Sequence, residues 1–190
     1  MKRSSCIDIE YPNSMNKEQL MARAITISEE SVNRGGGPFG AVIARNGEIV
    51  AEAANCVTTR HDPTAHAEVN AIREAAARLG TFDLSGCEIY TSCEPCPMCL
   101  GAIYWAHLDK IYYANNRDDA ATAGFDDDFI YRELALKQAD RHKPSEIVMA
   151  GEAKEAFRRW TAKTDKTEYG KQGGKRERRR GQGAGKTSGQ

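Results

Sequence analysis

The stretch TSCEPCPMCLGA, residues 91–102, places Cys93, Cys96 and Cys99 at three-residue spacing, where a predicted strand is followed by a short apolar helix. Thiols this close together suit metal ligation better than a disulfide framework. Cys96 and Cys99 lie on one face of the helix start, beside free backbone N–H groups and the positive end of the helix dipole. This environment favours the thiolate, which binds zinc, so the stretch predicts a metal site where a strand meets a helix.

The segments on either side of this stretch predict an α/β fold. Apolar residues at helical spacing predict a first helix from residue 17 to about 32, with Asn16 capping its start. Asn46-Gly47 is a strong hairpin signal between two apolar runs, and strands then alternate with helices. This order indicates a three-layer α/β/α sandwich around a central mixed five-stranded sheet. The predicted elements are the two hairpin strands, strands at 87–92, 110–115 and 145–150, helices at 65–80, 95–107 and 152–163, and short helices within 117–138.

The charge is distributed unevenly along the chain. The net charge is zero, but residues 171–190 carry seven Lys or Arg against one Glu, so residues 1–170 sum to −6. Because nucleic-acid affinity rests largely on Lys and Arg neutralising phosphates, the acidic body argues against a broad nucleic-acid face, and any such contact falls to the tail. The Gly-, Lys- and Arg-rich residues 170–190 predict a disordered tail behind a single domain of residues 1–169.

Composition also bears on location. No apolar run approaches the roughly 20 residues needed to cross a bilayer, and the first residues lack the apolar core of a signal peptide. Half of the six cysteines crowd into one short stretch, which suits metal binding in a reducing compartment. The sequence therefore predicts a cytoplasmic protein with no membrane contact.

A second motif completes the metal site. His66-Ala67-Glu68, followed by Pro-Cys-x-x-Cys at residues 95–99, is the pattern of zinc-dependent nucleobase deaminases. His66 supplies a nitrogen ligand, and three protein ligands leave one position of a tetrahedral zinc site for water. Glu68 is the natural proton carrier, because a carboxylate beside that water can take its proton and deliver it to a ring nitrogen and then to the leaving ammonia.

Two other metal sites fit parts of the pattern. In a structural zinc site, Cys93 would be the fourth ligand and Glu68 an ordinary solvated helix residue. A bacterial-type iron–sulfur site needs a further Cys just downstream, and no Cys follows Cys99. The catalytic interpretation is favoured, with Cys93 expected to pack as a small apolar residue.

Four stretches resemble bacterial guanine deaminases of the cytidine-deaminase fold. The resemblance runs from about residue 17 to Tyr169, and it implies a zinc hydrolase that converts guanine to xanthine and ammonia. It also implies that His66, Cys96 and Cys99 hold one zinc ion per chain and that Glu68 is the proton shuttle. The stretches are GGPFGAVI (36–43), DPTAHAEVNAIR (62–73), YTSCEPCPMCLGAIYWA (90–106) and AGFDDDFIYRE (123–133).

The same resemblance implies residues that bind a purine base. Asn55 matches the substrate-binding Asn of the family, and its amide both donates and accepts hydrogen bonds; taken alone it would be a turn residue at a strand end. Asp127 matches the carboxylate that recognises the base, and an ionised Asp selects a purine that presents N–H groups. Because Asp126, Asp127 and Asp128 are adjacent, the sequence alone does not determine which of them corresponds to that carboxylate. Further candidates that contact or enclose the ring are Phe39, Ala67, Trp105, Phe125 and Tyr169.

The resemblance further implies a homodimer whose C-terminal segments, about residues 155–169, are exchanged. Tyr169 falls where the family's chain ends, and its ring would close the active site of the partner. This chain continues for 21 further residues, which puts in doubt any role for a free carboxylate at Tyr169 but not closure by the ring.

Three alternative functions remain open at this point. A tRNA adenosine deaminase shares the zinc and Glu chemistry, and the basic tail favours it, whereas the acidic body and the AGFDD segment oppose it. A guanosine deaminase differs only in a pocket that tolerates ribose. In a different class, a non-catalytic RNA-binding protein would use zinc to stabilise its fold and KRERRR, residues 175–180, to bind RNA, although this run lacks interleaved aromatic residues.

Overall fold

The structure is a computed structural model, and it describes residues 14–170. The described part forms two compact units, one up to Phe129 and one from Ile130. Residues 1–13 lie outside the described residues. So do residues 171–190, which are all but the first residue of the tail that the sequence predicts to be disordered. The elements are α1 (Lys17–Asn33), β1 (Gly40–Arg45), β2 (Glu48–Ala54), α2 (Val57–Arg60), α3 (Ala67–Leu79), β3 (Glu88–Cys93), α4 (Pro97–Trp105), β4 (Lys110–Asn115), α5 (Arg117–Thr122), α6 (Asp128–Ala135), a 3₁₀ turn (Gln138–Asp140) and α7 (Ala150–Ala162).

The sheet is mixed, with strand order β2-β1-β3-β4. Strand β1 is antiparallel to both β2 and β3, and β3 is parallel to β4. Asn46 and Gly47 both have positive φ, 53° and 81°, as a tight two-residue hairpin turn requires, which confirms the predicted hairpin. The parallel pair ends with Cys93 opposite Asn115, so the residues that follow both strands emerge at the same edge of the sheet.

Helices cover both faces of the sheet in the first unit. Helix α1 packs its apolar face, including Leu20 and Ala24, against Val42 and Tyr90. On the other face α3 packs alanines against neighbouring residues of the strands, including Ala41, Ile43 and Ile89. Because successive strand residues point to opposite faces, β1 contributes to both cores, and the predicted three layers follow.

Helix α1 approaches the sheet very closely at Gly40. A Cβ atom on Gly40 would lie 2.3 Å from the Ala24 carbonyl oxygen and 2.8 Å from the Ser28 nitrogen, both backbone atoms of α1. The helix also begins as predicted, because the Asn16 side chain accepts a hydrogen bond from the Gln19 N–H at 2.8 Å. The start of the helix and its distance from β1 are therefore both set by specific local contacts.

The prediction of five strands is wrong, because the sheet formed by residues 14–170 has four. The run at residues 145–149 forms no strand, and its Ile147 and Val148 side chains are 80% and 71% exposed. At Met149 the backbone has φ 55° and ψ 40°, which takes it out of the extended region before α7 begins. The periodicity of a short apolar run fits a strand and a helix equally well. Pairing with another strand would have been needed to hold this run extended.

The remaining helix predictions are confirmed with small shifts of their ends. Helix α7 begins two residues before the predicted position, and the short helices predicted within 117–138 are α5 and α6. Across residues 14–170, no helix combines the length and the apolar character that crossing a membrane requires.

Candidate active site

The predicted ligands come together at the N-termini of two helices. His66 precedes α3 and Cys96 precedes α4, and neither side chain caps its own helix. Pro97 occupies the first position of α4, where the missing N–H costs nothing, and Cys99 lies one turn into the helix. The Nδ1 atom of His66 is 3.6 Å from the Sγ atom of Cys96 and 3.5 Å from that of Cys99. These two helix starts therefore bring one nitrogen and two sulfur atoms to a common point.

The donor set fits a tetrahedral zinc ion. The three ligand atoms lie within 4.8 Å of one another. With Zn–S and Zn–N bonds of about 2.3 and 2.0 Å, tetrahedral coordination separates sulfur and nitrogen by about 3.5 Å. The two observed sulfur–nitrogen separations, 3.6 and 3.5 Å, match this value. Within the described chain, this group contains three ligands, so one tetrahedral position is not filled by protein.

The pKa values of the two ligand thiols are shifted in opposite directions. Hydrogen bonding with Cys99, and also with His66, lowers the pKa of Cys96 to about 4. Hydrogen bonding with Cys96, together with burial, raises the pKa of Cys99. The pair therefore holds one negative charge at neutral pH, and the thiolate of Cys96 in turn raises the pKa of His66. Metal binding at such a pair displaces the remaining proton, because the thiolate is the ligand.

Glu68 lies directly beside these ligands. It is the second residue of α3, and its side chain is almost fully buried, with 7% exposure. Burial raises the pKa of the Glu68 carboxyl, and Cys99 forms a hydrogen bond with it. A carboxyl whose pKa is raised holds a proton more readily than a solvated one, which suits a proton carrier. Glu68 is not an ordinary solvated helix residue, contrary to what a purely structural zinc site would imply.

Cys93 is separate from the ligand group. It ends β3, is buried, and its Sγ atom lies 3.6 Å from the Asn116 carbonyl oxygen. Burial raises the pKa of Cys93 to about 11, so it remains a neutral thiol. These properties agree with the expected packing role and not with a fourth ligand.

The three successive Asp residues have three different environments. Asp126 accepts a hydrogen bond from the Phe129 N–H at 3.3 Å, near the start of α6. Asp128 lies 3.9 Å from Arg117. The Oδ1 atom of Asp127 is shielded from solvent, and no group among residues 14–170 forms a hydrogen bond with it. Burial raises the pKa of Asp127, and the neighbouring Cys96 contributes to this shift. Of the three carboxylates, Asp127 is therefore the one near the metal ligands with an acceptor still available.

Asn55 has a structural contact that does not use all of its amide. It follows β2 and is buried, and its Oδ1 atom accepts a hydrogen bond from the Val57 N–H at 3.1 Å. This bond is the turn role expected of an Asn at a strand end. Among the described residues no hydrogen bond engages Nδ2, so the donor side of the amide is the side available to a ligand.

The structure brings together only some of the predicted ring contacts. Phe39 and Phe125 meet edge to face, with centroids 4.8 Å apart. The Ala67 side chain is fully buried in the core, so only its main chain is available to a ligand. Trp105 is 58% exposed at the last residue of α4, about 9 Å along the helix axis from Cys99. Tyr169 belongs to the second unit, where its ring lies 6.3 Å from that of Trp160.

Sequence reasoning missed one charged contact close to the site. Arg117 Nε lies 3.2 Å from Glu94 Oε1. These residues are 23 apart in the chain, and no local motif joins them. The only available signal was topological: each follows one of two parallel strands, and the carboxyl ends of such strands meet at one edge of a sheet.

Comparison with known proteins identifies the class of this chain. The family model described as the cytidine and deoxycytidylate deaminase zinc-binding region matches residues 14–115, which include all three ligands and Glu68. The chain belongs to this family of zinc-binding deaminases.

Individual relatives narrow the resemblance. The chain is 53% identical over 156 residues to guanine deaminase from Bacillus subtilis, a match that spans 82% of this chain and 100% of that protein. The X-ray structure of guanine deaminase from Bacillus subtilis superimposes with a TM-score of 0.79 at 52% identity, covering 82% of this chain and 99% of that one. The tRNA-specific adenosine deaminase of Aquifex aeolicus is 41% identical over 100 residues, 53% of this chain and 66% of that protein. The predicted resemblance to bacterial guanine deaminases is confirmed.

Proposed function

We propose that this chain is a guanine deaminase, which hydrolyses guanine to xanthine and ammonia. The observation that carries the proposal is the buried Glu68 beside a three-ligand group, with the unpartnered acceptor of Asp127 nearby. The Bacillus subtilis guanine deaminase is matched over its whole length, whereas the tRNA-specific adenosine deaminase is matched over 66% of its length. The region shared with both explains the chemistry, and the longer match favours guanine as the substrate.

The residues present account for the chemistry of hydrolysis. Zinc held by His66, Cys96 and Cys99 would act as a Lewis acid that lowers the pKa of water toward neutrality. In the reaction, the oxygen of water bonds to the ring carbon that bears the amino group, and the amino group leaves as ammonia. Glu68 takes the first proton of the water and gives it to the ring nitrogen, and it then carries the second proton, from the hydroxyl formed on that carbon, to the departing amino group. Its burial suits this role, because burial raises the pKa of the Glu68 carboxyl and so favours its holding the proton between the two transfers.

The substrate contacts follow from the donors and acceptors of the side chains. The free acceptor of Asp127 would take a hydrogen bond from an N–H of the imidazole edge, which favours a free base over a nucleoside. The Nδ2 donor of Asn55 would contact an acceptor of the purine. Phe39 and Phe125 would enclose the ring, with Ala67 offering only its main chain.

We further propose that the active enzyme is a homodimer with exchanged C-terminal segments, residues 155–169. Tyr169 would then contribute to the active site of the partner subunit, and Trp105 would be a wall of the pocket for the base. Residues 1–169 would form a single deaminase domain. The cysteines of the described chain are all free thiols, which supports function in the reducing cytoplasm.

The experiment that tests the proposal is a substrate panel. Purified protein loaded with zinc is incubated with guanine, guanosine, adenine, cytosine and a tRNA anticodon stem-loop, and ammonia release is measured. We expect turnover of guanine, with guanosine much slower because its N9 carries ribose instead of hydrogen. Inert guanine with turnover of another compound would contradict the proposal. Salt-sensitive RNA binding without ammonia from any base would favour the RNA-binding alternative.

A further inference from the structure

Two side-chain contacts flank Asp127 in the loop that carries it. The loop follows α5, whose end turns at Gly124 with φ 91°, and it leads into α6. In the middle of the loop, Phe125 packs edge to face on Phe39, the residue before β1. At its end, Asp128 lies 3.9 Å from Arg117. The loop is therefore held by one aromatic contact and one ionic contact on either side of Asp127.

Arg117 also reaches the segment that carries the metal ligands. Its Nε atom lies 3.2 Å from Oε1 of Glu94, which stands two residues before Cys96. The Glu94 N–H donates to the Asn115 carbonyl oxygen at 2.8 Å, so the backbone there is fixed to the end of β4. One guanidinium thus lies between two carboxylates, one beside the ligand segment and one beside Asp127.

From this arrangement we propose that Arg117 is a positioning residue that holds the Asp127 carboxylate at a set distance from the metal centre. The inference rests on the proposed function, in which Asp127 reads an N–H of the base. Arg117 touches neither base nor metal in this role. It acts by holding Glu94 and Asp128 together, since a guanidinium presents five donors in a rigid fork that two carboxylates can share.

The alternative is that Arg117 and Asp128 form an ordinary surface ion pair with no role in positioning Asp127. The sizes of the expected effects on folding stability and on guanine binding separate these two interpretations. The side chains of Arg117 and Asp128 are 39% and 44% exposed, so the contact adds little to folding stability. A positioning role needs little stability, because a small displacement of a substrate-binding group is costly to binding. We therefore expect an effect on guanine binding that is disproportionate to any effect on unfolding.

The test compares Arg117→Gln with Arg117→Lys and with Arg34→Gln, a matched control. Arg34, the residue after α1, forms an exposed ion pair with Glu30 at 3.5 Å and has no contact with Glu94 or Asp128 among those that hold the loop. In Arg117→Gln we expect KM for guanine to rise about three- to fivefold while kcat changes by less than about twofold, because Asp127 binds a part of the base that does not react. Arg117→Lys should recover part of the loss, and Arg34→Gln should match the parent protein.

A double-mutant cycle shows whether Arg117 acts through Asp127. If it does, Arg117→Gln has no further effect on guanine kcat/KM in an Asp127→Asn background, and it weakens the preference for guanine over 9-methylguanine in the parent background. An equal loss in both backgrounds would overturn the inference, because Arg117 would then act independently of Asp127.

A measurement without turnover keeps this inference separate from the proposed function. Amide hydrogen exchange at residues 123–128 should be faster in Arg117→Gln, with no change in α1 and with the zinc content preserved. Unchanged exchange at 123–128 would overturn the positioning role, even if guanine is turned over. Absence of guanine turnover by the parent protein would instead contradict the proposed function, and the exchange result would still decide whether Arg117 orders the loop.

Discussion

Single residues around the ligand group His66, Cys96 and Cys99 differ in their burial and partners. Glu68 and Cys93 are both buried within a few residues of a ligand, yet only Glu68 interacts with the ligand thiols, while Cys93 contacts a backbone carbonyl. Among the three Asp residues, hydrogen bonding and ion pairing engage Asp126 and Asp128 and leave Asp127. The chemical role open to each of these residues therefore depends on whether its polar atoms are already engaged by other groups of the protein.

Replacing Glu68 by Gln should separate metal binding from catalysis. The amide keeps the size of the side chain but can neither accept nor release a proton near neutral pH. Because Glu68 is not a ligand, zinc should stay at about one ion per chain. Ammonia release from guanine should fall by a factor of about 10² or more, the usual contribution of a positioned acid–base group. Glu74→Gln, an exposed position on the same helix, is the control. Retained turnover in Glu68→Gln, with the control active, would remove Glu68 from the mechanism.

Removing single thiols should distinguish ligand from packing residue. Cys99→Ala should lose zinc, because only two ligands would remain. Cys93→Ala should keep one zinc per chain, because the neutral Cys93 thiol contacts a carbonyl and lies outside the ligand group. Metal content after dialysis against a weak chelator measures both. Equal zinc loss in the two variants would support a structural site with four protein ligands.

At the scale of elements, close packing sets the distance between α1 and β1. The Gly40→Ala variant should be destabilised by about 1–3 kcal/mol, since its Cβ would meet backbone atoms that have no freedom to rotate away. Gly101→Ala is the matched control: Gly101 lies inside α4 with nothing within 4 Å of a Cβ, so Ala should stabilise the protein by about 1 kcal/mol. Urea unfolding followed by circular dichroism gives both values. Equal stabilities for the two variants would contradict the close contact.

The ion pair between α1 and β2 should make the free energy of unfolding depend on pH. Arg23 Nε donates to Glu52 Oε2 at 2.8 Å, and this hydrogen bond lowers the pKa of Glu52 below its usual value near 4.5. A lowered folded-state pKa adds stability that is present above about pH 4.5 and is lost as the pH falls through the folded value.

The substitution Glu52→Gln tests this dependence. Because the pair is about one-third exposed, its contribution at neutral pH should be only about 0.5 kcal/mol. The difference in unfolding free energy between the parent protein and Glu52→Gln should therefore shrink between pH 7 and pH 3. The exposed Glu29, on the same helix, supplies the control Glu29→Gln, for which the difference should be smaller throughout. A difference that grows on acidification would have the wrong sign for this pair.

At the scale of the whole molecule, the proposed dimer makes the active site a shared property of two chains. If C-terminal segments are exchanged, each site combines Glu68 of one chain with Tyr169 of the other. A chain with Glu68→Gln and a chain with Tyr169→Ala would each be impaired alone. After the two are unfolded and refolded together, about half of the molecules should be mixed dimers, and each mixed dimer should carry one intact site.

Ammonia release by the refolded mixture measures this complementation. We expect recovery to about one quarter of parent activity, since half of the dimers carry one intact site of two. Refolding each variant alone is the control and should restore nothing. A mixture no more active than the mean of its two components would contradict exchange of the segments.

Prediction from sequence succeeded where requirements are local. The Asn46-Gly47 hairpin and the cap at Asn16 each depend on residues within a few positions of one another, and helix starts and tight turns are specified at that range. The His-x-Glu and Cys-x-x-Cys motifs are equally local, but the meeting of His66 with Cys96, 30 residues further along the chain, depends on the fold. It failed at residues 145–149, because an apolar run becomes a strand only if another strand pairs with it.

The amino-acid sequence by itself thus determined the donor types and their place at two helix starts, because the His-x-Glu and Cys-x-x-Cys motifs are local. The tertiary structure brought the His66 Nδ1 atom to 3.6 Å from the Cys96 Sγ atom. Only the tertiary structure decided which of three adjacent carboxylates keeps a free acceptor, and that Arg117 meets Glu94. Both outcomes depend on the parallel pairing of β3 with β4 and on burial, and these arise from contacts between distant parts of the chain.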